Sequence, residues 1–289
     1  MMRVLIFGLG YSGTAVARAA VAAGWDVVAT SRDPAGLVAP PGVTICPFDD
    51  AGPEIALATH ILATAPPGEA GDPVLARYAA LIRAAPNLRW AGYLSTTGVY
   101  GDRRGKWVDE NSDIRAETPR AIRRIDAEHG WARLADHVSV DLFRVAGIYG
   151  PGRSAFDDLR SGRARRVIKP GHAFGRIHRD DIAGAVLAAV QQDRPPGMRV
   201  LHLADDQPEE SAVVIAHAAQ LLGTALPPAI AYADALPGMS EMARSFWADN
   251  RKVASRITQE RLGYDWKYPS YREGLASILA EERGEGGDQ

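Results

Sequence analysis

The chain has 289 residues, 46% of them hydrophobic, and its 33 basic and 35 acidic residues give a formal net charge of −2. This composition excludes a disordered chain and is typical of one large α/β domain with a smaller companion. The balanced charge favours neither a nucleic-acid partner nor an anionic membrane surface. The single cysteine, Cys46, excludes an internal disulfide and suits the cytoplasm, where we expect the protein. No apolar run is long enough to predict a signal peptide or a membrane-spanning helix.

Short apolar runs alternate with segments of helical periodicity over much of the chain. The predicted strands are 3–7, 26–30, 43–47, 60–63, 89–94, 138–143 and 199–203. The predicted helices are 14–23, 72–85, 118–134 and 180–191. Strands that alternate with helices in this way predict an α/β fold with a doubly wound parallel sheet.

Two stretches, 147–175 and 205–276, interrupt the alternation and contain clusters of proline and glycine. We therefore predict two units. Residues 1–146 and 176–204 are expected to form the sheet domain. Residues 147–175 and 205–289 are expected to form a smaller α/β lobe on the substrate side.

A glycine-rich turn, G-L-G-Y-S-G at residues 8–13, follows the first predicted strand and opens a helix. In that context Gly8 permits a tight turn, Gly10 lets a pyrophosphate approach the backbone, and Gly13 lets helix and strand pack closely. Tyr11 and Ser12 open the helix whose N–H groups would bind the phosphates. The turn therefore predicts a Rossmann-type dinucleotide site, with a turn that binds no ligand as the alternative.

The second strand ends in Thr30-Ser31-Arg32 rather than in the carboxylate that binds the ribose of NAD. A guanidinium at this point can bind a 2′-phosphate in a bidentate manner, with Ser31 adding a hydrogen bond. We therefore predict NADP as the cofactor, with NAD as the alternative because Asp33 could reach a ribose. Arg32 could instead be a solvated arginine or stack on adenine.

Small residues end the fourth strand, where an adenosine could lie against the sheet: Thr64, Ala65 and Pro66. After the third strand, Asp49 and Asp50 are candidates for the adenine amine, or for a turn and helix cap.

Several segments together carry a resemblance to a known family. S-T-T-G-V-Y-G-D at 95–102 resembles the S-[ST]-x-x-V-Y-G segment of the extended short-chain dehydrogenases/reductases, the NAD(P)-dependent epimerase/dehydratase family. R-V-A-G-I-Y-G-P-G-R at 144–153 and R-I-H-R-D-D-I-A at 176–183 resemble two further segments of that family. With 107–110 and 262–269, the pattern covers nearly the whole chain and is most similar to the atypical YeeZ-like subgroup.

The resemblance implies an NAD(P)-binding enzyme and assigns roles to residues after the fifth and sixth strands. Thr96 takes the position of the catalytic Ser/Thr that hydrogen-bonds a substrate hydroxyl or carbonyl. Ser95, Ala146 and Gly147 would line the cofactor. Tyr100 is a further candidate for a catalytic group, although this tyrosine is normally structural in the family.

The sequence departs from the family where its tyrosine and lysine are expected. If Glu128 matches the family's acidic residue, those two positions fall on Arg120 and Arg124. An arginine keeps its proton at all working pH values, so Arg120 cannot act as a base. Arg124 could still hold the nicotinamide ribose, or lie on a solvated face. The Asp-Glu pair of the family's dehydratases is also missing, since Thr97 and Gly98 occupy those positions.

Other candidates for proton transfer are weaker. Asp109 and Glu110 could border the substrate site, but solvated loop acids are the default expectation. His178 is more easily explained as a buried histidine that links strand and helix, and Asp181 as a helix cap. No histidine falls in a metal-ligand spacing, so we expect no metal.

Two hypotheses of function follow. The first is an NADP-dependent oxidoreductase or epimerase-like enzyme acting on a small, anionic or nucleotide-linked substrate, which Arg103, Arg153 and Arg176 could contact. The second is a non-catalytic NADP(H)-binding sensor or regulatory protein that has lost the tyrosine and lysine. The sequence does not indicate an oligomeric state.

Overall fold

The computed structural model describes residues 2–284, and the sheet they form has seven strands in parallel. The strands are β1 Arg3–Phe7, β2 Asp26–Ser31, β3 Val43–Pro47, β4 His60–Ala63, β5 Trp90–Thr96, β6 Ser139–Val145 and β7 Gly197–Leu203. Their order is β7-β6-β5-β4-β1-β2-β3, and every neighbouring pair is parallel. The predicted fold class, a doubly wound Rossmann sheet, is confirmed.

Eleven α-helices accompany the strands in residues 2–284. They are α1 Tyr11–Ala22, α2 Gly52–Leu57, α3 Pro73–Ala84, α4 Pro119–Ala132, α5 Ala155–Arg160, α6 Arg179–Val190, α7 Ser211–Leu222, α8 Tyr232–Ala235, α9 Glu241–Ala248, α10 Arg256–Leu262 and α11 Tyr271–Glu282. Local sequence sets several of their starts. Asp72 caps α3 by accepting from the N–H groups of Val74 and Leu75, and Thr118 caps α4. A proline follows each cap at the first helical position.

The alternation of side chains along β1 divides the core between the two faces of the sheet. Val4 and Ile6 face α1 and α6, in a cluster with Val16 and Ile182. Leu5 and Phe7 belong to the cluster on the opposite face, which includes residues of α2, α3 and α4. Because both faces are covered, the strands are mostly apolar, which made them visible in the sequence.

The remaining strands are short and form two-stranded pairs. Gly147–Tyr149 pairs in parallel with Arg176–His178, Arg166–Ile168 with Ala229–Ala231, and Trp107–Val108 with Lys252–Val253, while Ala173–Phe174 pairs antiparallel with Glu209–Glu210. A separate apolar cluster of α5, α7 and α11 includes Tyr149, Phe156 and Tyr271. The two-unit boundaries stay a prediction, and the end of the smaller lobe, 285–289, lies outside the described residues.

The start of α6 differs from the sequence prediction. The helix begins at Arg179, and the cap is His178, whose Nδ1 accepts from the N–H of Asp180 at 3.2 Å. Asp181, expected to be the cap, is fully buried and accepts hydrogen bonds from the N–H groups of Lys267 and Tyr268. Asp181 therefore links α6 by hydrogen bonds to the segment that precedes α11.

No helix within residues 2–284 is long and apolar enough to cross a membrane.

Candidate functional site

The glycine turn is held by close contacts that leave no room for side chains. Gly8 has a φ of +103°, which side chains rarely allow. A Cβ on Gly13 would lie 2.2 Å from the carbonyl oxygen of Gly8. That same oxygen accepts a hydrogen bond from Thr64 Oγ1 at 2.7 Å, which ties the turn to the end of β4. The conformation of this turn therefore requires glycine at both position 8 and position 13.

The N-terminus of α1 faces open space at Gly10. Gly10 is the N-cap and makes no side-chain capping bond, and a Cβ placed on it would meet no atom within 4 Å. The first-turn N–H groups of a helix lack partners inside the helix, and the helix dipole favours an anion there. Ser12 is buried beside the turn, so its backbone rather than its side chain is available to a phosphate. This geometry fits a pyrophosphate.

A cavity of about 390 Å³ opens in front of this turn. It brings together seven of the predicted cofactor residues: Gly8, Gly10, Ser31, Arg32, Thr64, Ala65 and Pro66. Its lining also includes Leu37, Phe48 and Pro73, which the sequence analysis missed. Phe48 follows β3 directly and packs edge-on against Phe7 and Tyr78, so its position at a strand end was the only available signal. The residues fit a group that combines an anion with a flat apolar ring.

Arg32 is exposed at the rim of this cavity and takes part in no ion pair with the residues from 2 to 284. Asp33, the competing acid, turns back into its own loop, where its carboxylate accepts from the N–H of Gly36 at 3.2 Å. Ser31 Oγ accepts from the N–H of Asp33 at 3.1 Å. Asp49, the candidate for the adenine amine, instead lies 3.2 Å from Arg77. The guanidinium of Arg32 is therefore the cation that the cavity rim presents.

Tyr11 links the glycine turn to the loop after β6. Its hydroxyl donates to the carbonyl oxygen of Pro151 at 3.0 Å. The guanidinium groups of Arg153 and Arg179 lie 5.6 and 5.3 Å from the centre of its ring. The side chain of Tyr11 thus contacts the loop, and only its backbone remains for a phosphate.

Thr96 ends β5 and is partly exposed. Its Oγ1 accepts from the N–H of Gly98 at 3.1 Å. In register, Thr96 lies beside Val145, so Ala146 and Gly147 follow at the same carboxyl edge of the sheet. None of these residues lines the cavity at the glycine turn, and their part in a site stays a prediction.

Thr96 and Arg251 both have side-chain atoms close to Gly98, and Arg251 was not singled out by the sequence analysis. A Cβ on Gly98 would be 3.3 Å from Thr96 Oγ1 and 3.8 Å from Arg251 Nη2. Arg251 is held by Asp249 Oδ2 at 2.9 Å and by the carbonyl oxygen of Gly101 at 3.1 Å. It comes near Gly98 from a segment more than a hundred residues away, which no local pattern indicates.

The two arginines of α4 take different positions. Arg124 Nη1 donates to the carbonyl oxygen of Leu94 at 2.7 Å and to the hydroxyl of Tyr93 at 3.1 Å. Arg124 is therefore bound near the end of β5, because Tyr93 and Leu94 directly precede Ser95 and Thr96 in the chain. Arg120 is exposed and lies over the ring of Phe246, 5.8 Å from its centre.

Tyr100 lies in the core, which argues against a catalytic role. It is fully buried, its hydroxyl accepts from Arg144 Nη1 at 2.7 Å, and His202 Nε2 lies 2.6 Å away. Burial raises the pKa of Tyr100 to about 12. The turn Thr97–Tyr100 is a 3₁₀ helix that directs the ring inward, so the hydroxyl cannot reach a substrate. Ser95 is also buried, and its hydroxyl donates to Glu128 at 2.5 Å.

Of the two loop acids, Glu110 is not solvated, contrary to expectation, and Asp109 is partly exposed. Asp109 Oδ1 accepts from the hydroxyl of Ser112 at 2.9 Å and closes its own turn. Glu110 has a side chain only 2% exposed, and its Oε1 accepts from the hydroxyl of Thr258 at 2.6 Å. Both acids are engaged in local hydrogen bonds, and Glu110 is also shielded from solvent.

Of the arginines proposed to meet an anionic substrate, Arg103 is tied to the backbone by hydrogen bonds to the carbonyl oxygens of Tyr100 and Asp113. Arg153 and Arg176 line a second cavity. No group of three or more potential metal ligands occurs among residues 2–284.

Comparison with known proteins gives the family. No model of a known protein family matches the chain. A conserved protein of unknown function from Silicibacter pomeroyi is 40% identical, with a TM-score of 0.90, over 97% of this chain and 99% of that one. YeeZ of Escherichia coli is 25% identical over 93% of this chain and 97% of its own length.

A protein from Methylobacillus flagellatus assigned as an NAD-dependent epimerase/dehydratase has the same fold, with a TM-score of 0.75. It is 24% identical over 98% of this chain and 99% of that one. The chain therefore belongs to one family with the Silicibacter pomeroyi protein, and it shares the fold of the Methylobacillus flagellatus protein.

Proposed function

We propose that the protein is an NADP-dependent oxidoreductase or epimerase-like enzyme acting on a small, anionic or nucleotide-linked substrate. The observation that carries the proposal is the cavity at the glycine turn. It joins the open N-terminus of α1 to an exposed Arg32 without an ion pair in the described chain. A 2′-phosphorylated dinucleotide carries a pyrophosphate that suits the N-terminus of α1 and a 2′-phosphate that suits Arg32.

Each predicted cofactor residue has a place in this proposal. The N–H groups at Tyr11, Ser12 and Gly13 would bind the pyrophosphate, and Ser31 and Arg32 the 2′-phosphate. The residues Thr64, Ala65 and Pro66 would lie along the adenosine, opposite Phe48. On the nicotinamide side, we assign Ser95, Arg124, Ala146 and Gly147, which lie at or beside the carboxyl ends of β5 and β6.

When bound, the nicotinamide supplies hydride transfer. Thr96 would orient the substrate by a hydrogen bond from Oγ1, which lies at the open edge of β5. Arg251, whose guanidinium is paired with Asp249, would lie near an anionic substrate held at Thr96. The guanidinium of Arg124 is a fixed cation at the end of β5, but it cannot accept a proton. Proton transfer would therefore pass through Thr96 or a water molecule.

The second candidate is a non-catalytic NADP(H)-binding sensor or regulatory protein. The burial of Tyr100 favours it, because this removes the one tyrosine that the sequence offered as a proton-transfer group near Thr96. Cofactor binding would then persist without turnover.

Hydride transfer that depends on Thr96 separates the two candidates. Across a panel of carbonyl compounds, alcohols and sugar nucleotides, we expect NADP(H) turnover that Thr96→Val lowers at least ~100-fold and Thr96→Ser largely preserves. One lost hydrogen bond to the reacting oxygen has an effect of that order on kcat. Absorbance at the NADPH band is the measurement, and Thr44→Ala on the exposed side of β3 is the control. Absence of turnover across the panel would instead support the sensor.

A further inference from the structure

A second cavity, also of about 390 Å³, lies between the loop after β6 and helices α5, α7 and α11. No residue lines both this cavity and the one at the glycine turn. One wall is apolar and consists of Ile148, Val214, Ile215 and Leu275. The rest of the lining carries charged and hydroxyl groups. This mixture of an apolar wall and converging polar groups is typical of a ligand site.

The charged residues of the lining leave an excess of positive charge. Arg153, Arg163 and Arg176 face Asp157 and Asp158. Asp157 Oδ2 accepts hydrogen bonds from the N–H and the hydroxyl of Ser154, both at 2.7 Å. Asp158 lies 3.6 Å from Arg163. Arg153 and Arg176 form no ion pair with any residue from 2 to 284, so their charges remain available to an anion.

Two backbone carbonyl groups hold the guanidinium of Arg176 at the cavity. Its Nη1 donates to the carbonyl oxygens of Phe174 and Glu209, both at 2.9 Å. Asp205 lies close by, is 1% exposed, and has no hydrogen-bond partner on either oxygen within the described chain. Burial raises the pKa of Asp205 to about 8. Burial thus favours the neutral form of this carboxyl more than in an exposed aspartate.

A buried hydroxyl without a partner gives an independent indication of a ligand. Tyr271 lines the cavity and is 0% exposed, and its hydroxyl has no hydrogen-bond partner in residues 2–284. Burying a hydroxyl without a partner is unfavourable, so such groups are rare in native structures and call for an explanation.

The 12-residue helix α7 opens on the same cavity at Ser211. Its N-cap, Glu210, makes no side-chain capping bond, so the first-turn N–H groups are not satisfied by a cap. Such a terminus favours an anion. Here it adds donors to those of the arginines and of Tyr271.

We propose that this cavity binds a small organic phosphate. The phosphate takes donors from the loop at Arg153, the strand at Arg176, the hydroxyl of Tyr271 and the start of α7. Donors that converge from separate elements suit a tetrahedral anion with three terminal oxygens better than a planar carboxylate. The carbon part of the ligand lies on the apolar wall. The site does not depend on the proposed cofactor or reaction.

Calorimetric titration of the full chain with inorganic phosphate, in chloride buffer, tests this site. We expect Arg176→Gln to weaken phosphate binding at least tenfold and Tyr271→Phe at least fivefold. Tyr271→Phe removes an unsatisfied hydroxyl, so its Tm without phosphate should equal or exceed that of the wild type. Arg165→Ala is the matched control, because Arg165 is exposed two residues from Arg163 and does not line the cavity.

Unchanged phosphate affinity in Tyr271→Phe overturns the proposal. If Arg176→Gln does not fold, the result for Tyr271→Phe alone serves as the test. The proposal is equally overturned if the wild type does not bind phosphate. It also fails if binding is weakened by Arg32→Ala instead, since phosphate would then occupy the cavity at the glycine turn.

Discussion

Replacing Arg144 by leucine is expected to lower the free energy of unfolding by about 3–5 kcal/mol. Arg144 is 5% exposed and Glu128 is 2% exposed. Arg144 Nη2 donates to Glu128 Oε2 at 2.7 Å, and its Nε donates to Oε1 at 3.1 Å. Arg144→Leu leaves the Glu128 carboxylate buried without a cation, and the hydroxyl of Tyr100 loses a donor. Urea denaturation monitored by tryptophan fluorescence measures the change.

The control for this prediction is the same substitution in an exposed pair. Arg256 and Glu260 form an i,i+4 ion pair on α10 with Nε 2.8 Å from Oε1, and both side chains are mostly exposed. Solvent and salt screen such pairs, so Arg256→Leu should leave the urea midpoint unchanged. If Arg144→Leu shifts the midpoint no more than Arg256→Leu does, the buried network does not stabilise the fold as argued here.

Replacing Gly13 by alanine is expected to weaken NADPH binding at least ~100-fold and to lower Tm. The added Cβ would lie 2.2 Å from the carbonyl oxygen of Gly8, a backbone atom that cannot move alone. Either α1 or the turn must shift, and both carry the groups that would bind the pyrophosphate. Fluorescence titration with NADPH and thermal unfolding measure the two effects.

Two further glycines separate binding from folding in this experiment. A Cβ on Gly10 meets no atom of the protein within 4 Å, so Gly10→Ala should fold normally and still lose NADPH affinity, because the Cβ occupies the ligand's approach. A Cβ on Gly52 meets only Leu81 Cδ1 at 3.7 Å, an ordinary contact, so Gly52→Ala should change neither quantity. Wild-type affinity in Gly13→Ala would refute the close-packing argument.

The sheet was predictable because its signals are local. β1, β3 and β4 begin and end where the sequence predicts, since each is a short apolar run flanked by turn residues. The helix α2 was missed because six residues that begin with Gly-Pro show too little periodicity. The glycine turn was equally local, as strand, glycines and helix follow one another within twenty residues.

The role of Tyr100 could not be predicted, because it depends on residues that meet only across the sheet. In register, Arg144 on β6 lies between Ser95 on β5 and His202 on β7. Glu128 joins them from α4. The sequence shows a tyrosine close to Thr96, but only the fold shows that its hydroxyl meets a histidine 102 residues away. The same limit explains why Arg251 and the second cavity escaped the sequence analysis.

Paired titrations with NADPH and NADH test the central claim, that Arg32 and the glycine turn form a site for a 2′-phosphorylated dinucleotide. Calorimetric heat and nicotinamide fluorescence should show NADPH binding at least ~10-fold tighter, about 1.4 kcal/mol. Arg32→Ala should remove that difference and leave NADH affinity unchanged. Equal affinity for the two cofactors in the wild type would show that Arg32 does not bind the phosphate, and absence of binding by either would contradict the dinucleotide site itself.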